Sequence, residues 1–132
     1  LNEGEARMQT QRMNLVTAGR EILKMGPKFV IIKKGEHGSL LVSEDDLFIM
    51  PPYPTENVVD PTGCGDSFAG GMMGYLAARG QVDKETFRAA MARGSVLGSF
   101  VLESFSVQAL SRVTSDDVEQ RLAALREMSR VA

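Results

Sequence analysis

Cysteine is almost missing from this sequence. Cys64 stands alone among 132 residues, which excludes an internal disulfide and a cysteine-rich zinc centre and makes a reducing cytoplasm the simplest home. No excess of charge of one sign exists either: 15 basic residues face 17 acidic ones, a formal net charge of −2, and neither sign gathers into a block. A nucleic-acid or anionic-membrane footprint is therefore not expected, and a small-molecule ligand suits such a surface better. Long apolar runs are lacking as well. The best candidate, Val96 to Leu102, is broken by Gly98 and Ser99 and falls well short of the ~20 residues that a bilayer crossing requires. No internal repeat or low-complexity tract stands out, and the length suits one compact unit with a real core.

What is present has the alternation of an α/β protein. Met8, Met13, Val16, Ile22, Leu23 and Met25 recur at helical spacings, predicting one helix over about 5–25, interrupted near Thr17 to Gly19 and stopped by Gly26-Pro27. Phe29-Val30-Ile31-Ile32 is a β-branched apolar run whose two-sided hydrophobicity predicts an interior strand. Gly35-Glu36-His37-Gly38 predicts a turn. Strands are expected over 39–43 and 47–50, and Pro51, Pro52 and Pro54 enforce an extended loop beyond them. A glycine-rich stretch from Pro61 to Gly65 then leads into a helix over about 66–78, ended by Gly80. Two further helices follow, over about 84–102 and 115–128, the second with Thr114, Ser115 and Asp116 as candidate caps. Helix, three strands and three helices make an α/β layer arrangement, a sheet with packed helices.

The chemistry concentrates in Asp60-Pro61-Thr62-Gly63-Cys64-Gly65-Asp66-Ser67-Phe68-Ala69-Gly70-Gly71. Gly63 and Gly65 let the backbone turn tightly and approach a ligand with no Cβ in the way. The helix that follows points unpaired N–H groups outward, which makes an anion site. Asp66 lies at the start of that helix, where the dipole favours a carboxylate. A backbone cradle for phosphate beside a fixed carboxylate is what phosphoryl transfer to an alcohol requires: one part meets the developing charge, the other accepts the hydroxyl proton.

The same twelve residues are similar to the C-terminal signature of ribokinase-like (PfkB-type) carbohydrate kinases. That resemblance implies an anion hole formed by Gly63, Cys64 and Gly65, with Asp66 as catalytic base; Cys64 stands where the family pattern usually has alanine, serine or glycine. Two further elements occur in family order. Asn2-Glu3-Gly4-Glu5 resembles the Asn-x-x-Glu element, implying that Asn2 and Glu5 help hold magnesium, largely through water. Lys34-Gly35-Glu36-His37-Gly38 resembles the nucleotide-side turn, implying ATP contacts for Lys34, Gly35 and Gly38. A monovalent cation near the glycine loop is also implied, with Asp60 and Thr62 as contributors. The fold implied is part of a three-layer ribokinase-like α/β architecture. Residues 1–132 would supply its nucleotide-binding and catalytic-base side, and the substrate and lid portion would lie outside them. Opening on Leu1 rather than methionine, the sequence reads as a piece of a longer protein or a short native module. A sheet edge or apolar face left open by the missing part would favour homo-oligomers.

Plainer readings compete for several residues. In isolation, Asp66 is a helix cap, Asn2 and Glu5 are an ordinary helix start, and Gly70, Gly71 and Gly74 serve close helix packing. Lys33 and Lys34 read as solvated strand ends and His37 as an exposed turn residue. Cys64 with His37 as nucleophile and base lacks an acidic orienter. The eight methionines read as core filling. Two functions remain open: an ATP-dependent, magnesium-requiring kinase acting on a sugar or nucleoside hydroxyl, and a truncated, non-catalytic nucleotide-binding or assembly module.

Overall fold

The computed structural model describes the backbone of residues 1–132 and all side chains except those of Ser106 and Val107. Instead of one compact unit, the chain divides into two, Leu1–Pro52 and Tyr53–Ala132, and the division falls inside the proline-rich stretch.

The first unit begins with two short helices, α1 (Glu3–Thr10) and α2 (Leu15–Leu23). The single helix expected here is broken earlier than Thr17. Gln11 closes α1 in the left-handed region at φ 57°, and the Asn14 side chain caps α2 by accepting from the Thr17 N–H at 3.0 Å. Gly19, which suggested the interruption, lies inside α2 for a tertiary reason: a Cβ there would come within 2.7 Å of Val42 Cγ2. The helix pays its propensity cost of ~1 kcal/mol to sit close on the sheet.

That sheet is an antiparallel meander, β1 (Phe29–Lys33), β2 (Ser39–Ser43) and β3 (Leu47–Met50), in the order β1-β2-β3. The interior strand is β2, all five residues of which are buried, whereas β1 alternates buried and half-buried positions. The apolar run is a strand as expected, paired with β2 on one side and bridged at its end by Leu1 and Asn2 on the other. Val30 and Ile32 of β1 and Leu40 and Val42 of β2 form one core with Ala6, Ala18 and Ile22 of the helices. Leu47 and Ile49 continue the same face on β3 but stay exposed.

The second unit is helical: α3 (Cys64–Arg79), α4 (Lys84–Leu102), a 3-10 segment over Ser106–Ser111, and α5 (Ser115–Met128). Capping boxes at Asp83 and Thr114 start α4 and α5, and Gly80 in the left-handed region ends α3. Of the three glycines assigned to packing, only Gly71 serves it, its missing Cβ lying 2.6 Å from Leu97 Cδ1. The reciprocal small residue is Gly94, where a Cβ would come within 2.6 Å of the Phe68 carbonyl oxygen. Gly70 and Gly74 have open space at that position. The methionines divide: Met50, Met72 and Met91 are buried, but Met8, Met13, Met25, Met73 and Met128 are exposed, so core filling accounts for three of the eight. No helix among the described residues is long and apolar enough to cross a membrane.

Candidate active site

Between Asp60 and Asp66 the backbone is arranged by its own short hydrogen bonds. The Thr62 N–H donates to Asp60 Oδ1 at 3.0 Å. This bond, with a second from the Thr62 hydroxyl, holds the Asp60 carboxyl below its ordinary range. The Cys64 N–H donates to the Pro61 carbonyl at 3.1 Å, closing a turn, and the Ser67 N–H donates to the Gly63 carbonyl at 2.9 Å, opening the helix. Gly63 sits between them at φ 88°, in the left-handed region that a Cβ disfavours.

Helix α3 thus starts two residues before Asp66, which occupies its first turn and is not the cap. The cap position belongs to Gly63, and no side chain serves it. Of the expected cradle, Gly63 and Gly65 have N–H groups without an acceptor in the protein. The Cys64 N–H is engaged by Pro61, while the Asp66 N–H, not foreseen as a donor, is open. Three backbone donors therefore lie at the positive end of a 16-residue helix. The Asp66 side chain is exposed and makes no hydrogen bond. Burial, reinforced by the Asp60 carboxylate, pushes the Cys64 thiol up, the opposite of what an activated nucleophile needs.

The first unit gathers a second group. The Lys33 N–H donates to the Leu1 carbonyl at 2.8 Å, and Asn2 bridges Lys33 in parallel, so the Asn2 to Glu5 element lies at the end of β1 where the Lys34 turn begins. Asn2 and Glu5 form a reciprocal capping box: Asn2 Oδ1 accepts from the Glu5 N–H, and Glu5 Oε2 accepts from the Asn2 N–H, both at 2.8 Å. Glu5 Oε1 has no partner. No three His, Cys, Asp or Glu side chains among the described residues converge as a direct metal ligand set. In the turn, the Lys34 N–H donates to the Gly38 carbonyl at 2.8 Å around a 3-10 segment at Gly35–His37. Gly38 is confined to glycine, since its φ is 85° and a Cβ would overlap the Met50 carbonyl oxygen. His37 is exposed and pairs with the neighbouring Glu36.

An open groove of about 500 Å³ in the second unit, lined by Gly70, Gly74, Tyr75, Arg93, Leu97 and Val118 among others, contains none of these residues. Sequence reasoning also passed over Arg121 and Glu103, which ion-pair at 2.7 Å and lie nearly twenty positions apart without a spacing that marks them.

Residues 1–114 match the model of the pfkB family of carbohydrate kinases. The chain is 40% identical over 95 residues to a cytidine kinase of Thermococcus kodakarensis, covering 70% of this chain and 33% of that protein. It is 31% identical over 112 residues to a bifunctional ribokinase/ribose-5-phosphate isomerase A of Fructilactobacillus sanfranciscensis, covering 81% of this chain and 20% of that one. Among solved structures it resembles an aminoimidazole riboside kinase of Salmonella enterica, in complex with aminoimidazole riboside and an ATP analogue. That match has a TM-score of 0.79 at 24% identity and covers 92% of this chain and 40% of the other. A fructokinase of Vibrio cholerae with fructose, ADP and calcium bound gives a TM-score of 0.81 at 20% identity over 92% of this chain and 39% of the other. These two likenesses establish the ribokinase-like α/β fold. The chain spans a third or less of the length of these two curated relatives.

Proposed function

This chain belongs to the pfkB family of carbohydrate kinases, and from that premise we propose that it serves ATP-dependent transfer of the γ-phosphoryl group to a hydroxyl of a sugar or nucleoside. The observation that carries the reading is the set of acceptor-free N–H groups of Gly63, Gly65 and Asp66 on the same turn as an exposed, unpartnered carboxylate. Backbone donors at a helix N-terminus suit the equatorial oxygens of a phosphoryl group in flight. Gly63, Cys64 and Gly65 form this anion hole in the proposal, joined by the Asp66 N–H. The Cys64 N–H contributes once it leaves Pro61.

Asp66 is the general base. It takes the hydroxyl proton as the acceptor oxygen bonds to phosphorus, while the bond to the β-phosphate oxygen breaks and ADP leaves. Lys34, Gly35 and Gly38 contact the nucleotide. Asn2 and Glu5 hold magnesium through water, using Glu5 Oε1 and the lone pair of Asn2 Oδ1 that the cap leaves over. Magnesium, when bound, supplies neutralisation of the triphosphate charge. Asp60 and Thr62 contribute oxygens to a monovalent cation.

A second reading is a nucleotide-binding or assembly module without activity of its own, built on the same backbone donors. Calorimetric titration of magnesium and ATP into the chain tests what both readings share. The wild type is expected to bind, and a variant with Gly63→Val and Gly65→Val to lose binding while keeping its helical circular dichroism. A folded wild-type chain that does not bind ATP would sink the nucleotide site proposed for it. Phosphorylation of a sugar or nucleoside by the chain then separates the kinase from the module.

A further inference from the structure

We infer that Arg121, on α5, is a positioning residue for the loop that carries Asp66, acting through Glu103 and Thr55. This rests on the reading of that loop as a phosphoryl-transfer site. The side chain of Arg121 is only 19% exposed and that of Glu103 26%. Two guanidinium nitrogens of Arg121 serve different partners: one donates to Ser99 Oγ on α4 at 2.7 Å, the other to Glu103 Oε2, the residue that caps the end of α4, at 2.7 Å. The guanidinium also lies over the Phe100 ring at 3.8 Å and the Tyr53 ring at 4.8 Å. Its position is therefore fixed by four contacts, two polar and two aromatic.

The other oxygen of Glu103 carries the constraint onward. Glu103 Oε1 accepts from the Thr55 hydroxyl at 2.7 Å, across 48 positions of sequence. Next to it, the Leu102 carbonyl accepts from both the Val59 N–H at 2.9 Å and the Asp60 N–H at 3.2 Å. The segment from Tyr53 to Asp60 is thus tied to the last turn of α4 at Thr55 by a side-chain clasp and at Val59 and Asp60 by backbone bonds. Asp60 is the first residue of the glycine loop and receives the Thr62 N–H. Removing Arg121 leaves Glu103 without its cation and free to let go of Thr55, so the anchor of the loop loosens before any residue of the loop is changed.

Amide hydrogen exchange by NMR, with calorimetry of magnesium and ATP on the same samples, tests the clasp. Arg121→Met is expected to speed exchange at Val59 and Asp60 by about tenfold, the loss of one charge-assisted hydrogen bond, and to weaken ATP binding, with β1 and β2 amides unchanged. Thr55→Val, which changes no group of Arg121 or of the Asp60–Asp66 stretch but also removes the acceptor of the Asn57 N–H at 3.4 Å, should act in the same direction, and Thr55→Ser, which keeps the hydroxyl, should restore wild-type exchange. If Arg121→Met unfolds the second unit, α4 amides exchange faster as a whole, and the two Thr55 variants decide the matter alone. Wild-type exchange at Val59 and Asp60 in Thr55→Val overturns the clasp. Faster exchange there with unaltered ATP affinity overturns the positioning role, whereas a wild-type chain that never binds ATP counts against the nucleotide reading and leaves the exchange result to judge the clasp.

Discussion

Asp66 differs from several other acidic residues of the second unit in having no hydrogen-bond partner. Asp60 binds Thr62, Asp83 and Asp117 complete capping boxes, and Glu103 holds Arg121 and Thr55. Asp66 is exposed without a hydrogen bond. A residue with no structural partner can be changed with little loss of stability, which makes the chemical role separable. Under the proposed activity, Asp66→Asn is expected to lower kcat by roughly 10²–10⁴, the usual contribution of a positioned base, with KM for ATP and the melting temperature close to wild type. Steady-state kinetics and a thermal melt on the same preparation check it; a matching fall in Tm would make Asp66 structural instead. At this scale the sequence was most informative, because a run of adjacent residues sets its own geometry. One feature was not legible: nothing local announces that the Cys64 N–H turns back to Pro61.

Among the elements, the strands and the last two helices were legible from period and breakers, and α4 and α5 begin and end where their caps lie. The errors came where tertiary packing decides. Gly19 looked like a helix breaker because its reason for being glycine is Val42, on β2. Gly94 was overlooked because its partner is the Phe68 carbonyl on α3. These glycines also give opposite expectations for one substitution. Gly94→Ala forces a methyl against a backbone oxygen that cannot move aside and should destabilise by ~1–3 kcal/mol. Gly74→Ala meets nothing within 4 Å and should stabilise by ~0.5–1 kcal/mol through helix propensity. Gly71→Ala falls between, since Leu97 Cδ1 is the end of a flexible side chain. Urea unfolding of the three variants checks the order, and equal effects would show that α3 and α4 do not pack as closely as these distances require.

For the whole molecule, the α/β order and the family were readable from three short motifs, while the partition into two units was not, because proline placement marks an extended segment without saying what it separates. Acid is the condition that addresses the whole chain at once. Glu103 feels two opposed influences: burial pushes its carboxyl up, but the bonds from Arg121 and Thr55 and the guanidinium charge together outweigh it, and the net shift is downward. Asp60, Asp83 and Asp117 are lowered by bonds from Thr62, Thr86 and Thr114, and Glu21 by Lys24. Each of these groups binds its proton more weakly in the folded chain than in the unfolded one, so the unfolded state takes up more protons as the pH falls. Their stabilisation is complete above the ordinary glutamate value of 4.5 and is lost progressively as the pH drops through the lower, folded values. The urea midpoint should therefore be nearly level from neutral pH down to about 5 and fall steadily below it. Salt should weaken the exposed pair of Glu21 with Lys24 more than that of Glu103 with Arg121, which is the less exposed. Glu103→Gln removes the titrating group and part of the clasp together. Its midpoint should start lower at neutral pH and fall less steeply in acid, and a slope equal to that of the wild type would mean that Glu103 carries none of the acid sensitivity.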